Sequence, residues 1–298
     1  MAQQDKYRKA QARRQARRKT PLALRLLRLY FQTVGRVLPQ FAVNRAYRLW
    51  FQTRRFGEPA REMRWLTGAR QDVVEHEYGP LAVNVWGEGP TVLLVHGWNG
   101  RGSQMGAFAR PLVECGYRVV AYDLPAHGRS PGHETNVFKA VDTLETIADI
   151  YGPVHGIVAH SFGVMVTTLA LRAGLAANRV AAISPPMTLR WLIERFEGIL
   201  HIPMATHCAL VKRIEHDFGK DIWDRVALDI AARKLSTPAL IIHDDHDYDV
   251  IWTQGQQLAD AWPNASFIKT SGLGHRRILR DRAVITSVVN FIDGNSDN

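Results

Sequence analysis

The sequence predicts an α/β fold: a mostly parallel sheet with helices on both faces, a helical cap insertion and an N-terminal basic helical arm. Three observations predict it. Short apolar runs alternate with amphipathic stretches from about residue 91, the alternation is interrupted between about 187 and 236, and positive charge is concentrated before residue 65. Apolar runs separated by helix-length segments favour parallel pairing. We therefore expect an arm over residues 1–70 and an α/β domain over residues 71–298 that contains the cap.

The individual elements can be placed from hydrophobic periodicity and turn residues. Alternating residues at 72–78 and 81–86 predict a hairpin around Gly79-Pro80. Further strands are predicted at 91–95, 118–122, 154–159, 179–184, 238–242 and 265–269, and helices near 103–115, 134–150, 162–173, 250–261 and 276–292. The insertion follows the sixth strand and has apolar residues at helical spacing. One of them, Trp191, is a candidate substrate contact.

Charge is distributed unevenly along the 298 residues, whose net charge is +10. Residues 1–64 contain 17 Lys and Arg against 3 acidic residues, whereas the rest of the chain contains 21 against 25. Residues 6–19 have little to bury and are expected to be unfolded or a solvated helix. Two amphipathic helices follow Pro21. The apolar face of the first is Leu22, Leu26, Leu29, Tyr30, Val34 and Val37, opposite Arg25, Arg28, Gln32 and Arg36.

Three interpretations of this arm stay open. Residues 6–55 could bind an anionic membrane surface or an acidic protein partner, or the helices could pack on the α/β domain and leave their arginines in water. Nucleic acid is not expected as a partner, because no zinc-finger spacing or nucleic-acid module accompanies the charge. The arm lacks the roughly 20 apolar residues of a membrane span, a secretory apolar region and the serines of a transit peptide. We expect a cytoplasmic protein that could associate with the inner membrane face.

The run Ala159-His160-Ser161-Phe162-Gly163 joins a strand-like segment to a helix-like segment. Small residues two positions before and after Ser161 are typical of a sharp turn that presents a serine nucleophile. The helix that begins at Phe162 would direct N–H groups towards an oxyanion on that serine. A serine N-cap on a core helix gives the same short pattern. A nucleophile therefore also requires a base, an acid and an oxyanion site.

Candidates for the base and the acid follow the last two predicted strands. His275 lies on a glycine-rich loop before the final helix and is the candidate base. Asp247 lies in the acidic stretch after the strand at 238–242 and is the candidate acid, with Asp244, Asp245 and Asp249 as rivals. Ligands gather at the carboxyl ends of parallel strands. The ionisable run 243–247 could instead bind a metal ion.

The oxyanion site is predicted after the strand at 91–95, in the segment His96-Gly97-Trp98. The backbone N–H groups of Trp98 and Phe162 are the two candidate donors. The candidate substrate contacts near the serine are His96, Gly97 and His160. Cys115 and Cys208 are too few for a disulfide scaffold and are expected to be buried thiols.

The order Ser161, Asp247, His275, with the oxyanion loop upstream, resembles the α/β-hydrolase family over roughly residues 72–294. The segment His96-Gly97-Trp98 resembles the family's His-Gly-x loop. Residues 122–130, Tyr-Asp-Leu-Pro-Ala-His-Gly-Arg-Ser, resemble its Asp-x-x-Gly-x-Gly-x-Ser loop. Asp247-x-x-Val250 and Gly274-His275 match the spacing around its acid and base. Ala159 replaces the first glycine of the family's serine turn, a change of one methyl group.

The resemblance implies a lipase-like serine hydrolase that cleaves a carboxylic ester or thioester through an acyl-enzyme and uses neither a metal nor an organic cofactor. A serine nucleophile argues against the dehalogenase and epoxide-hydrolase branches, which use a carboxylate. Two alternatives stay open. A carbon–carbon bond hydrolase or perhydrolase could use the same three residues. A non-catalytic adaptor could dock on a membrane or an acidic partner through the basic arm.

Overall fold

An eight-stranded sheet forms the centre of the larger of two compact units in the computed structural model, which describes residues 21–294. The strands are β1 (Arg70–Val74), β2 (Leu81–Trp86), β3 (Thr91–Val95), β4 (Arg118–Tyr122), β5 (Val154–His160), β6 (Arg179–Ile183), β7 (Ala239–Asp244) and β8 (Ala265–Thr270). Their order in the sheet is β1-β2-β4-β3-β5-β6-β7-β8. The β1–β2 and β2–β4 pairs are antiparallel, and every other neighbouring pair is parallel. The predicted mostly parallel sheet is confirmed.

Helices alternate with the strands from β3 onward, as the periodicity predicts. The α-helices of the described chain are α1 (Leu22–Val37), α2 (Pro39–Phe51), α3 (Ala60–Trp65), α4 (Ala109–Glu114), α5 (Val137–Tyr151), α6 (Phe162–Ala173), α7 (Leu189–Leu200), α8 (Met204–Phe218), α9 (Ile222–Arg225), α10 (Leu228–Ala232), α11 (Trp252–Ala261), α12 (Gly274–Arg277) and α13 (Arg282–Asp293). Two 3₁₀ turns, Gly102–Phe108 and Ile278–Arg280, precede α4 and α13.

The core of the larger unit lies between the sheet and the helices packed against it. Every residue of β3 is buried. Val92 and Leu94 of this strand belong to an apolar cluster that also contains Leu112 of α4 and Val288 of α13. Apolar residues on both faces of a strand suit a central strand that is covered on both faces. Because β3 to β8 run parallel, their carboxyl ends meet at one edge of the sheet.

The smaller unit is helical and consists of described residues 21–50 together with 190–222. Within it, Arg28 of α1 donates from Nε to the carbonyl oxygen of Ile199 at 2.8 Å. The rings of Trp50 and Phe196 meet edge to face, with centroids 5.3 Å apart. Arm helices and insertion helices therefore share one unit. The sequence divides these residues between an arm over 1–70 and a cap insertion at about 187–236, and this division stays a prediction.

Three further expectations concern the chain outside the sheet. The stretch 6–19, expected to be unfolded or a solvated helix, lies outside the described residues. Cys115 and Cys208 are both exposed, so the expectation of buried thiols is wrong. Cys115 directly follows the last residue of α4, at the surface end of that helix. Among the described residues, no helix combines the length and the apolar character that a membrane crossing requires.

Candidate active site

Ser161 occupies a sharp turn between β5 and α6. Its φ of 53° and ψ of −117° lie in a region that non-glycine residues rarely adopt. The Ser161 N–H donates to the carbonyl of Ile183 at 2.8 Å, which ties the turn to β6. At Gly163, a β carbon would lie 2.4 Å from the carbonyl oxygen of Val95. Only glycine allows α6 to start this close to β3, and the strained serine is thereby fixed at the sheet edge.

The structure brings His275 to Ser161 from more than a hundred residues away in the sequence. Its Nε2 lies 3.1 Å from Oγ of Ser161, and its Nδ1 lies 2.6 Å from Oδ2 of Asp247. A carboxylate can only accept, so Nδ1 carries the proton and donates to Asp247. The lone pair of Nε2 is then directed to the Ser161 hydroxyl. Hydroxyl, imidazole and carboxylate form one continuous hydrogen-bonded chain.

Asp247 is fully buried, and its surroundings favour the ionised form. Its Oδ1 accepts backbone N–H bonds from Asp249 and Val250, each at 2.9 Å. Burial by itself raises the pKa of this carboxyl. The charge of His275 and the hydrogen bonds from His243 and His275 outweigh burial and hold the pKa of Asp247 well below its usual range.

His275 shows the complementary effect on the other side of the same hydrogen bond. Burial lowers its pKa, but the charge of Asp247 and the hydrogen bond to it outweigh burial, so the net pKa of His275 is raised. The opposite directions of the two pKa changes mean that the pair is stabilised when imidazolium faces carboxylate.

Asp244, one of the rival acids, holds the loop that carries His275. Its carboxylate accepts backbone N–H bonds from Leu273 at 3.0 Å and Gly274 at 2.8 Å, and the hydroxyl of Thr270 donates to it at 2.8 Å. These contacts fix the segment directly before the imidazole. Asp244 therefore lies beside the site. Among the described residues, it forms no hydrogen bond with Ser161 or with the imidazole nitrogens of His275.

Asp244, Asp245 and His246 also form the only group of described residues with metal-ligand geometry, with potential ligand atoms within 4.8 Å of one another. Both oxygens of Asp244 already accept hydrogen bonds from the loop before His275. Asp245 instead pairs with His246 at 2.5 Å near the surface. This arrangement favours a loop anchor at Asp244.

Gly97 lies directly against the serine turn. A β carbon at this position would be 3.0 Å from Cβ of Ser161 and 3.1 Å from Nδ1 of His160. Any side chain would therefore press on Ser161. The absence of one lets the loop after β3 approach the hydroxyl, and it places the backbone of Trp98 next to the turn.

The N–H groups of Trp98 and Phe162 are the two candidate oxyanion donors. Within residues 21–294, neither N–H donates to another group of the protein. The two rings pack edge to face, with centroids 5.0 Å apart. Two unused N–H groups beside the serine suit an oxygen atom that acquires negative charge.

His96 is fully buried and uses both ring nitrogens for backbone contacts. The N–H of Leu124 donates to its Nε2 at 3.0 Å, so Nδ1 carries the proton and donates to the carbonyl of Gly97 at 2.8 Å. Burial lowers the pKa of His96 to about 4, so the ring is neutral near pH 7. The ring has no polar atom left for a substrate. The structure thus argues against a substrate contact at His96 and favours a ring that positions Gly97.

His160 packs against the candidate base. Its ring centroid lies 4.7 Å from that of His275, and its Nε2 donates to the His275 carbonyl at 2.9 Å. Burial lowers the pKa of His160 well below its usual value. Its predicted substrate contact stays a prediction. Trp191 lies in α7 within the helical unit, and its predicted substrate contact also stays a prediction.

Asp123 orders the loop after β4 and was not singled out from the sequence as a site residue. Its carboxylate accepts N–H bonds from Gly102 at 2.6 Å and Arg129 at 2.7 Å. Gly128 has a φ of +47°, and a β carbon there would lie 2.3 Å from that carboxylate. Gly128, five positions after Asp123, is the signal in the sequence that could have identified this anchor.

Comparison with known proteins places the described site within one family match. A model described as "Alpha/beta hydrolase family" matches residues 92–286, which is more than half of the chain. This match includes the segments that contain Trp98, Ser161, Asp247 and His275.

Two curated relatives match short segments. A pimeloyl-[acyl-carrier protein] methyl ester esterase from Methylococcus capsulatus is 35% identical over 109 residues, covering 35% of this chain and 39% of the relative. A non-heme chloroperoxidase, CPO-A1, from Kitasatospora aureofaciens is 33% identical over 82 residues, covering 26% and 30% respectively. The chain thus spans well under half the length of either relative.

Solved structures share the fold at low sequence identity. A bacterial membrane phospholipase A has a TM-score of 0.61 and 19% identity, with 92% of this chain and 97% of that chain covered. At this identity, the likeness concerns the fold alone.

Proposed function

Because this chain belongs to the alpha/beta hydrolase family, we propose that it is a serine hydrolase that cleaves a carboxylic ester or thioester through an acyl-enzyme. The observation that carries the proposal is the hydrogen-bonded chain from Ser161 Oγ through His275 to the buried carboxylate of Asp247. A strained serine in contact with an imidazole that a carboxylate orients is the arrangement that activates a hydroxyl near neutral pH.

The proposed first step is attack of Ser161 Oγ on the acyl carbon. The hydroxyl proton moves to Nε2 of His275, and Asp247 stabilises the imidazolium that forms. The carbonyl oxygen becomes negative and accepts hydrogen bonds from the N–H groups of Trp98 and Phe162. When the tetrahedral intermediate collapses, His275 returns the proton to the leaving alcohol or thiol, and the acyl group stays on Ser161.

The second step restores the enzyme. A water molecule gives a proton to Nε2 of His275 and attacks the acyl carbon, which releases the acid and regenerates the Ser161 hydroxyl. His275 acts as base and then as acid in each half of the reaction. We propose a small-molecule acyl ester as the substrate, and the methyl ester in the name of the esterase relative supports an ester as the substrate class.

A Ser161→Ala variant tests the assignment. We expect ester turnover to fall by at least about 10³-fold, because the nucleophile is removed while the fold is retained. Hydrolysis of p-nitrophenyl esters and labelling by a fluorophosphonate probe give two readouts. Ser266→Ala, at an exposed serine of β8, is the matched control and should keep both. Full turnover by the Ser161→Ala variant would remove this serine from the mechanism.

A perhydrolase reaction is the second candidate, favoured by the name of the chloroperoxidase relative. Hydrogen peroxide would replace water in the second step and release a peracid from the same acyl-enzyme. Peracid formation from an ester and hydrogen peroxide, compared with hydrolysis by the same preparation, separates the two. The carbon–carbon bond hydrolase stays an alternative within the same three residues. A non-catalytic adaptor predicts no reaction with the fluorophosphonate probe.

We also propose that the enzyme acts at an anionic membrane surface, the inner face of the membrane for a cytoplasmic protein. Residues 6–55 contain no acidic side chain and many Lys and Arg. Each basic residue near an anionic surface contributes about 1 kcal/mol to binding. Binding to anionic vesicles that weakens with salt supports this proposal, and equal affinity for neutral vesicles contradicts it.

A further inference from the structure

The side of α1 that packs within the helical unit is not the leucine-rich apolar face that the sequence analysis identified. Phe31 is fully buried, and a β carbon at Gly35 would lie 3.4 Å from both Pro203 and Thr206. Arg28, expected on the outward polar face, donates instead to the carbonyl of Ile199. Arg28, Phe31 and Gly35 therefore hold α1 against the insertion helices, and the opposite side of α1 is left outward.

That outward side, together with the chain that follows it into the start of α2, has a group of large exposed apolar side chains, which we call the outer stripe. Its members are Leu22, Leu26, Leu29, Val37, Leu38 and Phe41, each between 51% and 78% exposed. Six of the thirteen exposed large apolar residues of the described chain thus fall within twenty positions. Scattered exposed apolar residues are ordinary in proteins, whereas such a concentration within one short segment favours an interaction surface.

Every charged side chain of α1 and α2, the two helices that flank or contain the outer stripe, is positive. Arg25, Arg36, Arg45 and Arg48 of α1 and α2 are exposed. The first acidic side chain after Pro21 is Glu58. A second copy of this chain would bring like charges together at such a surface. An apolar stripe flanked by arginine instead matches a surface with negative headgroups above hydrocarbon.

We propose that the outer stripe inserts into an anionic phospholipid membrane, with α1 lying in the plane of the interface. This inference rests on the membrane proposal above and deepens it by naming the face that enters the lipid. The sixteen residues of α1 span about 24 Å at 1.5 Å per residue. Leu22, Leu26 and Leu29 repeat at intervals of four and three, so they lie on one side of the helix. Flanking arginines contact headgroups while the leucines enter the acyl region.

The test uses the full chain and vesicles of phosphatidylcholine alone or mixed with phosphatidylglycerol. Leu22→Gln, Leu26→Gln and Leu29→Gln are combined in one stripe variant, which removes apolar surface without changing charge. The matched control combines Val73→Gln and Ile150→Gln, whose side chains are 64% and 55% exposed on the larger unit. Circular dichroism and thermal melting establish that each variant is folded.

We expect wild type and control to bind anionic vesicles equally, and the stripe variant to bind at least about tenfold more weakly, because three leucines no longer leave water. Equal binding by the stripe variant overturns the proposed insertion. If that binding disappears at high salt, the basic residues alone support the membrane proposal. A wild type that binds no vesicle overturns both membrane proposals.

Light scattering tests whether a second copy of this chain, rather than lipid, covers the outer stripe. If the wild type is a dimer that the stripe variant converts to monomers, with vesicle binding unchanged, the stripe is an interface between copies and the insertion is overturned. The fluorophosphonate reaction of the wild type, measured without vesicles, tests the hydrolase proposal separately. Failure at the membrane and failure of the chemistry are therefore distinguishable.

Discussion

His243 lies beside the buried carboxylate of Asp247, with its Nε2 3.3 Å from Oδ2. His275 uses the same oxygen, at 2.6 Å from Nδ1. The Nε2 of His243 is also 3.1 Å from the carbonyl of Val250. Both neighbours are acceptors, so this nitrogen carries the proton. His243 is fully buried on β7. It and the candidate base His275 therefore both interact with the negative charge of the same carboxylate.

A His243→Leu variant should move the acidic limb of the pH–activity profile to higher pH. Without the second donor, more of the Asp247 charge acts on His275, and the pKa of His275 rises further. A higher pKa keeps the base protonated, and therefore inactive, up to a higher pH. Measuring kcat/KM between about pH 5 and pH 9 locates the midpoint of this limb, because the range extends to both sides of the usual histidine pKa.

His243→Gln provides the matched control, because its amide can donate from a similar distance. We expect this variant to bring the limb back towards its wild-type position. A His243→Leu enzyme that loses thermal stability while keeping the wild-type limb would show that His243 contributes packing alone. That result would contradict its effect on His275.

The pKa of His275 itself should depend on the charge of Asp247. Burial lowers this pKa, and the carboxylate outweighs burial, so the net pKa is raised above its ordinary value of about 6.5. Protonated His275 cannot accept the Ser161 proton. Activity should therefore be lost as the pH falls through this raised pKa, and recovered above it.

NMR titration of the imidazole in Ser161→Ala and Ser161→Ala/Asp247→Asn proteins measures the charge effect without turnover. We expect the pKa of His275 to fall in the double variant, because the asparagine amide carries no charge. Ser161→Ala/Asp245→Asn is the matched control and should titrate as the single variant does. Identical titration curves in all three proteins would mean that Asp247 does not set this pKa.

Apolar runs were sufficient to predict the sheet, because the buried parallel strands β3 and β5 each contain consecutive apolar residues, at 92–95 and at 157–159. The serine turn was equally local, since small residues at 159 and 163 frame Ser161. The choice among four nearby carboxyls was not local. It depends on the turn after β7, where Asp247 N–H donates to the Asp244 carbonyl at 3.0 Å and directs the two side chains to different partners.

The packing of the arm was beyond local sequence patterns for a related reason. Both faces of α1 contain apolar residues, and amphipathicity alone did not indicate which face would be buried. The contact between Arg28 and Ile199 joins residues 171 positions apart. The sequence also predicted a substrate contact at His96, whose ring the structure shows to be buried. That burial depends on the loop after β4, where the N–H of Leu124 donates to the His96 ring.

A Gly97→Ala variant should lower kcat with little change in stability. The added methyl group would lie 3.0 Å from Cβ of Ser161, so the loop must shift and carry the Trp98 N–H with it. Misplacing a catalytic group by less than an ångström can cost roughly tenfold to 10²-fold in rate. Gly198→Ala is the matched control, since nothing lies within 4 Å of a β carbon there. Steady-state kinetics with unchanged kcat in the Gly97→Ala variant would argue against a tight oxyanion loop.

Asp244→Asn should weaken both the fold and the turnover, because this carboxylate holds the loop that presents His275. Leu273 and Gly274 donate to different oxygens of Asp244, so the NH₂ of an asparagine would replace the acceptor of one of these two N–H groups. A buried donor left without an acceptor costs about 1–3 kcal/mol. Chemical denaturation should therefore show a loss of that size in the free energy of unfolding, and kcat should fall as the imidazole loses its fixed position.

The matched control is Asp245→Asn, next in the chain and partly exposed, which should change the free energy of unfolding by less than about 0.5 kcal/mol. Equal effects of the two substitutions would mean that contacts other than those of Asp244 hold the loop before His275.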